Sequence, residues 1–348
     1  MSKLQAGGAP AALSEMTDTK KMTTTRFVAF SVLMLCCLAS VPSARAASAQ
    51  DYPARVVKIV VPFPAGGTAD VMPRILAEWL SRKWGQSVIV EDHTGAGGNI
   101  GAELVAKSEP DGYTLLASPP PPLVINQNLY PHLEFDPLQF VPIIVMARVP
   151  NALVVNPDKI AANSVKDFVA YAQANPGKLT DATQGNGTTS QLTSEMFQMT
   201  AHVKLQNVPY RGSAPALNDL VAGSVDCMFD NLGVSLQLVK AGKLKLIAVA
   251  SPQRMASLPD VPAIAESLAG FESVTWYAVV APPRTPAAVV DKVNMGINEA
   301  LRDPDVQKRL AELSADPVGG TPHETADYLK QETARWKTVI TAAHVTLD

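Results

Sequence analysis

Residues 56–70 read VVKIVVPFPAGGTAD, an apolar run that predicts a buried strand, followed by prolines and glycines that end it. An amphipathic helix is expected directly behind the glycines, with Thr68 as its cap and Asp70 as its first-turn acid. Its apolar face carries Met72, Ile75, Leu76, Trp79 and Leu80. Such a helix start offers unpaired backbone N–H groups and a positive dipole end, which together bind anions. An ordinary turn between a strand and a helix fits the same pattern.

The composition is that of a globular protein of about two domains. The chain has 348 residues, of which 47% are hydrophobic and 18% charged, and its formal net charge is −3. No basic excess marks a nucleic-acid-binding surface, so no nucleic-acid partner is expected.

Residues 1–46 predict a signal peptide. Basic residues precede an apolar run at 27–38, which leads into the sequence VPSARA ending at Ala46. We expect cleavage after Ala46 and an exported mature protein. Met22 lies closer than Met1 to the basic and apolar parts and is an alternative start.

The mature chain has no positive net charge that would attract anions over long range, and it has too few cysteines for a disulfide. Without residues 1–46 it holds 24 basic and 30 acidic residues, a formal charge of −6, so anion binding would depend on local dipoles. Cys227 is the single cysteine outside the leader, which excludes an internal disulfide and a cysteine-rich metal site.

Strand patterns alternate with helix patterns along the chain, which predicts a parallel α/β sheet. Residues 88–90 predict a second buried strand and residues 113–117 a third. The glycine-rich loop between them does not match the G-x-G-x-x-G fingerprint, because the third glycine position after Gly95 and Gly97 holds Ile100. Dinucleotide binding is therefore not expected.

Ser118 and the four prolines that follow it come directly after the third strand. Such a run predicts a stiff extended connection, placed where the strand's carboxyl end would meet a ligand crevice. We expect it to flank the pocket, and a rigid surface loop is the alternative.

A second glycine-rich stretch, TQGNGTTSQ at residues 183–191, also precedes a helix pattern. Gly187, Thr188, Thr189 and Ser190 would present backbone N–H groups and hydroxyls together at that helix start. Two such helix starts facing each other across a cleft would hold an anion from both sides. Two unrelated turns are the alternative.

The chain is expected to cross between two domains around residues 147–150 and to return at residues 274–280. The first crossing would separate a strand that ends at Pro150 from another that begins at Leu153. Between the crossings, a strand at 225–231 ends in polar residues where a crevice would lie.

Two polar side chains in this second domain are candidates for ligand contact. Asp230 lies at the polar end of its strand, and Arg211 could pair with a ligand carboxylate. A solvated or structural arginine fits Arg211 equally well.

Catalytic and metal motifs are not evident. His132, His323 and His344 are each followed four residues later by an aspartate, but two ligands do not make a metal site. Neither G-x-S-x-G nor H-E-x-x-H occurs. Cys227 lies in an apolar strand and is expected to pack there. No cofactor, metal or catalytic residue is therefore predicted.

Seven stretches in chain order resemble the periplasmic solute-binding receptors of tripartite tricarboxylate transporters, the Bug family. They are VPFPAGGTAD (61–70), GAGGNIGA (95–102), PDGYTLL (110–116), GNGTTS (185–190), VPYRGSAPAL (208–217), VDCMFDN (225–231) and PVGGTP (317–322).

The resemblance implies an α/β, two-lobed, flytrap-like receptor with a parallel-rich sheet in each lobe that closes on a small organic carboxylate. It implies one lobe from residues 47–147 plus 275–348, another from 148–274, integral membrane subunits as partners, and a monomer. The ligand-gripping residues implied are Phe63, Pro64, Ala65, Gly66, Gly67, Thr68, Asp70, Ser118, Gly187, Thr188, Thr189, Ser190 and Asp230.

Two departures from the family pattern and two rival functions accompany this interpretation. Gln191 stands where many members have histidine, and the proline run replaces a small polar loop, which removes backbone donors and suggests a more apolar or aromatic ligand. One rival is a secreted α/β hydrolase using Ser190 or Ser118 with His93. The other is an orphan receptor that signals to a sensor.

Overall fold

The structure, a computed structural model, describes residues 52–343 and residue 345. The predicted leader, its cleavage site after Ala46 and the alternative start at Met22 lie outside these residues, as does His344.

Ten strands of the described chain belong to one sheet. They are β1 (Val57–Val61), β2 (Val88–Asp92), β3 (Thr114–Ser118), β4 (Val141–Val155), β5 (Thr180–Thr183), β6 (Gln206–Pro209), β7 (Cys227–Asn231), β8 (Lys245–Val249), β9 (Val274–Ala281) and β10 (Asp316–Gly319).

Nine α-helices of the described chain connect or follow these strands. They are α1 (Thr68–Trp84), α2 (Asn99–Ala106), α3 (Val165–Ala174), α4 (Thr189–Ala201), α5 (Ser213–Val221), α6 (Leu232–Lys240), α7 (Ala287–Arg302), α8 (Pro304–Glu312) and α9 (Pro322–Ala343).

The long strand β4 divides the sheet into two halves. The strand order is β2-β1-β3-β9-β4-β7-β5-β6, and β10 and β8 also pair with β4. The first part of β4, through Pro150, pairs with β9 and β10, whereas the part from Asn151 onward pairs with β7 and β8. Each half contains three parallel strands, β2-β1-β3 in the first and β6-β5-β7 in the second.

Helices cover both faces of each half, so the inner parallel strands β1, β3 and β7 bury side chains on both faces. In the first half, Ile59 packs toward α1, α7 and α8, while Val60 points to α2 and α9. In the second half, Phe229 lies in the core beneath α3 and α4, and Met228 faces α5. The parallel strands therefore aim the loops at their carboxyl ends into the space between the halves.

Several sequence predictions match these elements, and others are wrong. Strands β1 and β3 and helix α1 lie where the sequence predicts them. The strand at 88–90 is not buried, since β2 is an edge strand with only Val88 inside. No break separates strands at Pro150, because β4 is continuous from Val141 to Val155. Helix α6 and the strands β5, β6 and β10 were not predicted.

The proline run is not an extended connection. Residues Pro121–Ile125 form a single π-type helical turn, and Pro120 before it already has helical angles. The carbonyl of Pro120 accepts from the N–H groups of Leu123 and Val124 at 3.0 and 2.9 Å. Prolines suit the first positions of a helical turn because their fixed φ is helical and no N–H is required there.

Candidate functional site

A small inner cavity lies between the two halves of the sheet. Its volume is about 20 Å³, room for about one water molecule. Its lining comes from both halves and comprises Phe63, Pro64, Gly67, Thr68, Ala69, Pro119, Pro121, Gln184, Thr188, Thr189, Gly212, Ser213, Asn231 and Tyr277.

Three α-helices begin at this cavity, and a fourth begins directly after one lining residue. The lining includes the first residues of α1, α4 and α5, and Asn231 immediately precedes α6. The hydrogen bonds among described residues use none of the N–H groups at the first two positions of α1, α4 and α5, which are Thr68, Ala69, Thr189, Ser190, Ser213 and Ala214. The cavity therefore lies at the positive ends of several helix dipoles.

The start of α1 is held by Asp70, which does not line the cavity. Its Oδ2 accepts from the Gly66 N–H at 2.9 Å, and its Oδ1 accepts from Arg74, whose other guanidinium nitrogen donates to Asp92. The Asp70 carboxylate thus fixes the glycine turn without lining the cavity.

Thr68 is not the helix cap. Gly67 occupies that position, and Thr68 is the first helical residue, 2% exposed. Its hydroxyl has no hydrogen-bond partner among the described residues. The structure thus leaves a buried hydroxyl of a lining residue unpaired.

The start of α4 is shaped by side chains that fold back onto their own loop. The Thr188 hydroxyl donates to the Gly185 carbonyl at 2.6 Å, and the Gly187 N–H donates to Oε1 of Gln191 at 2.7 Å. Ser190 donates to the carbonyl of Phe229 at 2.6 Å and is fully buried. Gln191, the residue in the place of the family histidine, thus supports this glycine loop and does not line the cavity.

Asp230 lies behind the cavity and is fully buried. Its Oδ1 accepts from Nε2 of Gln184 at 2.8 Å and from the Ser213 hydroxyl at 3.0 Å, while Oδ2 has no partner among the described residues. Burial raises the pKa of this carboxyl, and the hydrogen bonds from Gln184 and Ser213 oppose the rise. Asp230 therefore positions two lining side chains.

Tyr277 reaches the cavity from β9 and shares an acceptor with Gln184. Its hydroxyl donates to Oδ1 of Asn231 at 3.2 Å, and Gln184 donates to the same oxygen at 2.9 Å. Burial raises the pKa of Tyr277, so the side chain stays a neutral hydrogen-bond donor.

A larger outer cavity of about 570 Å³ adjoins the inner one and shares Phe63, Pro64, Gln184, Thr188 and Gly212 with it. Its remaining lining comprises Pro62, Thr94, Gly95, Ala96, Gly97, Gly98, Tyr130, Gly185, Asn186, Pro209, Tyr210 and Arg211. Arg211 is the one charged residue in the two lining sets, and it is exposed. Any anion in the inner cavity would therefore be bound without a cationic side chain in its wall.

The predicted contact residues divide into two groups. Phe63, Pro64, Gly67, Thr68, Thr188 and Thr189 line the inner cavity, whereas Ala65, Gly66, Asp70, Ser118, Gly187, Ser190 and Asp230 do not.

Eight lining residues were absent from the predicted contacts: Ala69, Pro119, Pro121, Gln184, Gly212, Ser213, Asn231 and Tyr277. Gly212 and Ser213 repeat the pattern of a glycine and a small hydroxyl residue at a helix start, so the same signal could have found them. Tyr277 lies within an apolar strand, and nothing local marks it.

Among the described residues, the hydrogen bonds do not pair the serine and histidine that the rival hydrolase would need. The Ser118 hydroxyl donates to the Pro119 carbonyl, Ser190 is bonded to Phe229, and His93 contacts Glu91 at 3.5 Å. Within residues 52–343, no three metal-ligating side chains cluster. Among the same residues, no helix is both long and apolar enough to cross a membrane.

Cys227 and the histidine pairs behave largely as surface or packing residues. Cys227 is fully buried and unbonded to another cysteine, as predicted. His323 lies 3.3 Å from Asp327 on the surface, whereas His132 contacts Glu134 instead of Asp136.

The family model described as tripartite tricarboxylate transporter family receptor matches residues 72–345. A Pseudomonas protein, the UPF0065 protein in the tcbD-tcbE intergenic region of strain P51, is 41% identical over 301 residues, covering 86% of this chain and 89% of the relative.

Two solved structures share the fold over 85% of this chain and their whole length. R. palustris Rpa4515 with adipate is 37% identical with a TM-score of 0.83, and the periplasmic binding protein BugD is 36% identical with a TM-score of 0.81. These similarities confirm the predicted fold class, the two-lobed periplasmic binding protein with parallel strands in each half.

Proposed function

The chain belongs to the family of receptors of tripartite tricarboxylate transporters, and from that starting point we propose that it captures a small organic carboxylate, with the carboxylate group at the helix starts that surround the inner cavity. Receptors of this family are periplasmic solute-binding proteins of the transport system. The solved relative Rpa4515 with adipate supports a carboxylate as the ligand class.

The observation that carries the proposal is the convergence of three helix N-termini on a cavity whose wall has no charged side chain. The unpaired N–H groups of α1 come from the first half of the sheet, and those of α4 and α5 come from the second. A carboxylate between them would accept hydrogen bonds from both sides, and exclusion of water would strengthen each bond. Thr68 would add its unpaired hydroxyl.

We place the boundary between the two lobes at β4 and β9. Residues 47–147 and 275–348 would form one lobe and residues 148–274 the other. In support, β4 changes partners between Pro150 and Asn151, and β9 pairs wholly with strands of the first half. Closure would be a hinge motion about these two strands.

The remaining parts of the proposal concern export, oligomeric state, delivery to the transporter and the absence of catalysis. We propose export with cleavage after Ala46, release as a monomer, delivery of the ligand to integral membrane subunits, and no chemical conversion of the ligand. N-terminal sequencing and light scattering of protein recovered from the periplasm test the first two.

Thermal unfolding of the chain from Ala47, with a panel of tricarboxylates, dicarboxylates, acidic amino acids and aromatic acids, tests the proposed ligand class. The protein is first unfolded and refolded to remove any ligand carried through purification. A carboxylate at about 100 times its dissociation constant adds about 2.7 kcal/mol of stability. A stabilising carboxylate recovered unchanged by mass spectrometry supports a receptor. Turnover of that carboxylate, or no stabilisation by any acid, contradicts it.

A further inference from the structure

The wall of the inner cavity differs between the two halves of the sheet. The second half contributes polar or small residues, which are Gln184, Thr188, Thr189, Gly212, Ser213 and Asn231. The first half contributes the start of α1 with Thr68 and, from β9, Tyr277, and the rest of its wall is largely apolar, with Phe63, Pro64, Pro119 and Pro121. A carboxylate bound to the helix starts would therefore have this apolar wall beside its carbon chain.

Pro119 and Pro121 offer no hydrogen-bond donor to the cavity. Neither has an N–H group. The Pro119 carbonyl already accepts from the Ser118 hydroxyl at 2.9 Å, and the Pro121 carbonyl accepts from the N–H of Asn126. Both prolines are buried, and Ser118 beside them is 0% exposed. The one hydroxyl of this segment is thus bonded to its own backbone.

We propose that Pro119 and Pro121 make the receptor select carboxylates whose carbon 2 carries no hydroxyl or amino group. The inference rests on the proposed function, because it assumes that the carboxylate lies at the helix starts. Carbon 2 is bonded directly to that carboxylate, so a substituent on it would lie beside the cavity wall, where the two prolines present no N–H group. A hydroxyl that faces the prolines would lose bonds to water and find no N–H group to replace them.

Matched pairs of acids test this selectivity by titration calorimetry on the unaltered protein. The pairs are adipate with 2-hydroxyadipate, succinate with malate, and 3-phenylpropanoate with 3-phenyllactate. In each pair that binds, the unsubstituted acid is expected to bind at least tenfold more tightly, about 1.4 kcal/mol. Equal affinity within the pairs, or tighter binding of the hydroxy acid, overturns the inference.

Variants of the proline run test whether these two residues are the cause. Pro119→Ser and Pro121→Ser each restore an N–H and add a hydroxyl, so each is expected to reduce the ratio within a pair to about threefold or less. Pro120→Ser is the matched control, because Pro120 belongs to the same run without lining the cavity, and it should keep the ratio. If the affinity ratio within a pair is unchanged in both Pro119→Ser and Pro121→Ser, other residues cause the selectivity and the proposal is contradicted.

The measurements separate this inference from the proposed function. If no member of any pair or of the wider panel binds, the proposed function fails. If both members of a pair bind equally, the function stands and the proline selectivity is wrong. The ratio in the unaltered protein distinguishes these outcomes even if the variants do not fold.

Discussion

Asn231, at the end of β7, donates a hydrogen bond from Nδ2 to the Thr275 hydroxyl on β9 over 2.7 Å. The same nitrogen donates to Oδ1 of Asn151 on β4 at 2.7 Å, and the Thr275 hydroxyl lies 2.8 Å from that of Thr189 at the start of α4. All four residues are buried. This network joins the cavity wall to the two strands about which the lobes would move.

Replacing Asn231 should therefore cost both stability and binding. Asn231→Ala removes the partner of the buried Tyr277 hydroxyl and one of the two partners of the Gln184 amide, and we expect a loss of about 2–4 kcal/mol. The midpoint of urea unfolding measures it. Asn175→Ala is the control, because Asn175 bonds a carbonyl on the surface and should change stability by less than about 1 kcal/mol. An Asn231→Ala variant as stable as the unaltered protein would show that the network does not contribute to stability.

Gly67 is expected to matter for ligand access because it has no side chain, and not because of its backbone conformation. Its φ is −89°, which any residue adopts, and an added Cβ would lie 3.9 Å from Ser213 on the opposite wall. Gly67→Val should block the gap and weaken carboxylate binding at least tenfold with little loss of stability.

Gly67→Ala is the matched control, because a single Cβ fits in ordinary contact and should leave affinity nearly unchanged. Calorimetric titration measures both variants. Normal binding by Gly67→Val would show that the gap between α1 and α5 is not part of the site.

Asp70 is expected to affect ligand binding through the glycine turn before α1, which it stabilises. Asp70→Ala frees the N–H of Gly66 and removes a partner of Arg74, so we expect a loss of about 1–2 kcal/mol together with weaker ligand binding. Asp92→Ala also removes a partner of Arg74 but leaves the Gly66 contact in place. If Asp92→Ala weakens binding as much as Asp70→Ala does, the role assigned to the Gly66 contact is wrong.

Asp181 makes the stability depend on pH. It is fully buried, and burial raises the pKa of its carboxyl from 3.8 to about 7. Between pH 4 and pH 7 the folded protein therefore holds a proton that the unfolded chain releases, so this contribution to stability falls as pH rises through that window and is constant above it. The slope is at most about 1.4 kcal/mol per pH unit.

Urea unfolding of the protein and of Asp181→Asn from pH 4 to pH 8 measures this contribution. Asparagine does not titrate, so the stability of the protein relative to that of the variant should decline with rising pH across the window. A difference that stays flat would show that Asp181 is ionised in the folded state.

The sequence allowed prediction of the helix starts because their signals are local. Glycines followed by Thr68 or by Thr188 and Thr189 set the turn and the first helical residues within a few positions, and both starts line the inner cavity. That cavity also needs Tyr277, whose contribution depends on strand pairing between distant parts of the chain.

Two predictions, a strand end at Pro150 and an extended segment after Ser118, are wrong for one physical reason. Pro150 suggested a strand end, but it occupies the position where β4 exchanges one set of neighbours for another, so its missing N–H interrupts little. The prolines after Ser118 suggested an extended segment, yet buried contacts around Leu123 and Ile125 fold them into a helical turn. Tertiary packing decided both cases.

The proposed function depends above all on helix N-termini that hold a carboxylate without a cationic partner in the cavity wall. Calorimetric titration of each stabilising acid from the panel, beside its primary amide, is the sharpest test of this mode of binding. We expect the acid to bind at least 100-fold more tightly than the amide, and the change Arg211→Gln to reduce the acid's affinity less than tenfold. Equal binding of acid and amide, or loss of binding in Arg211→Gln, would contradict it.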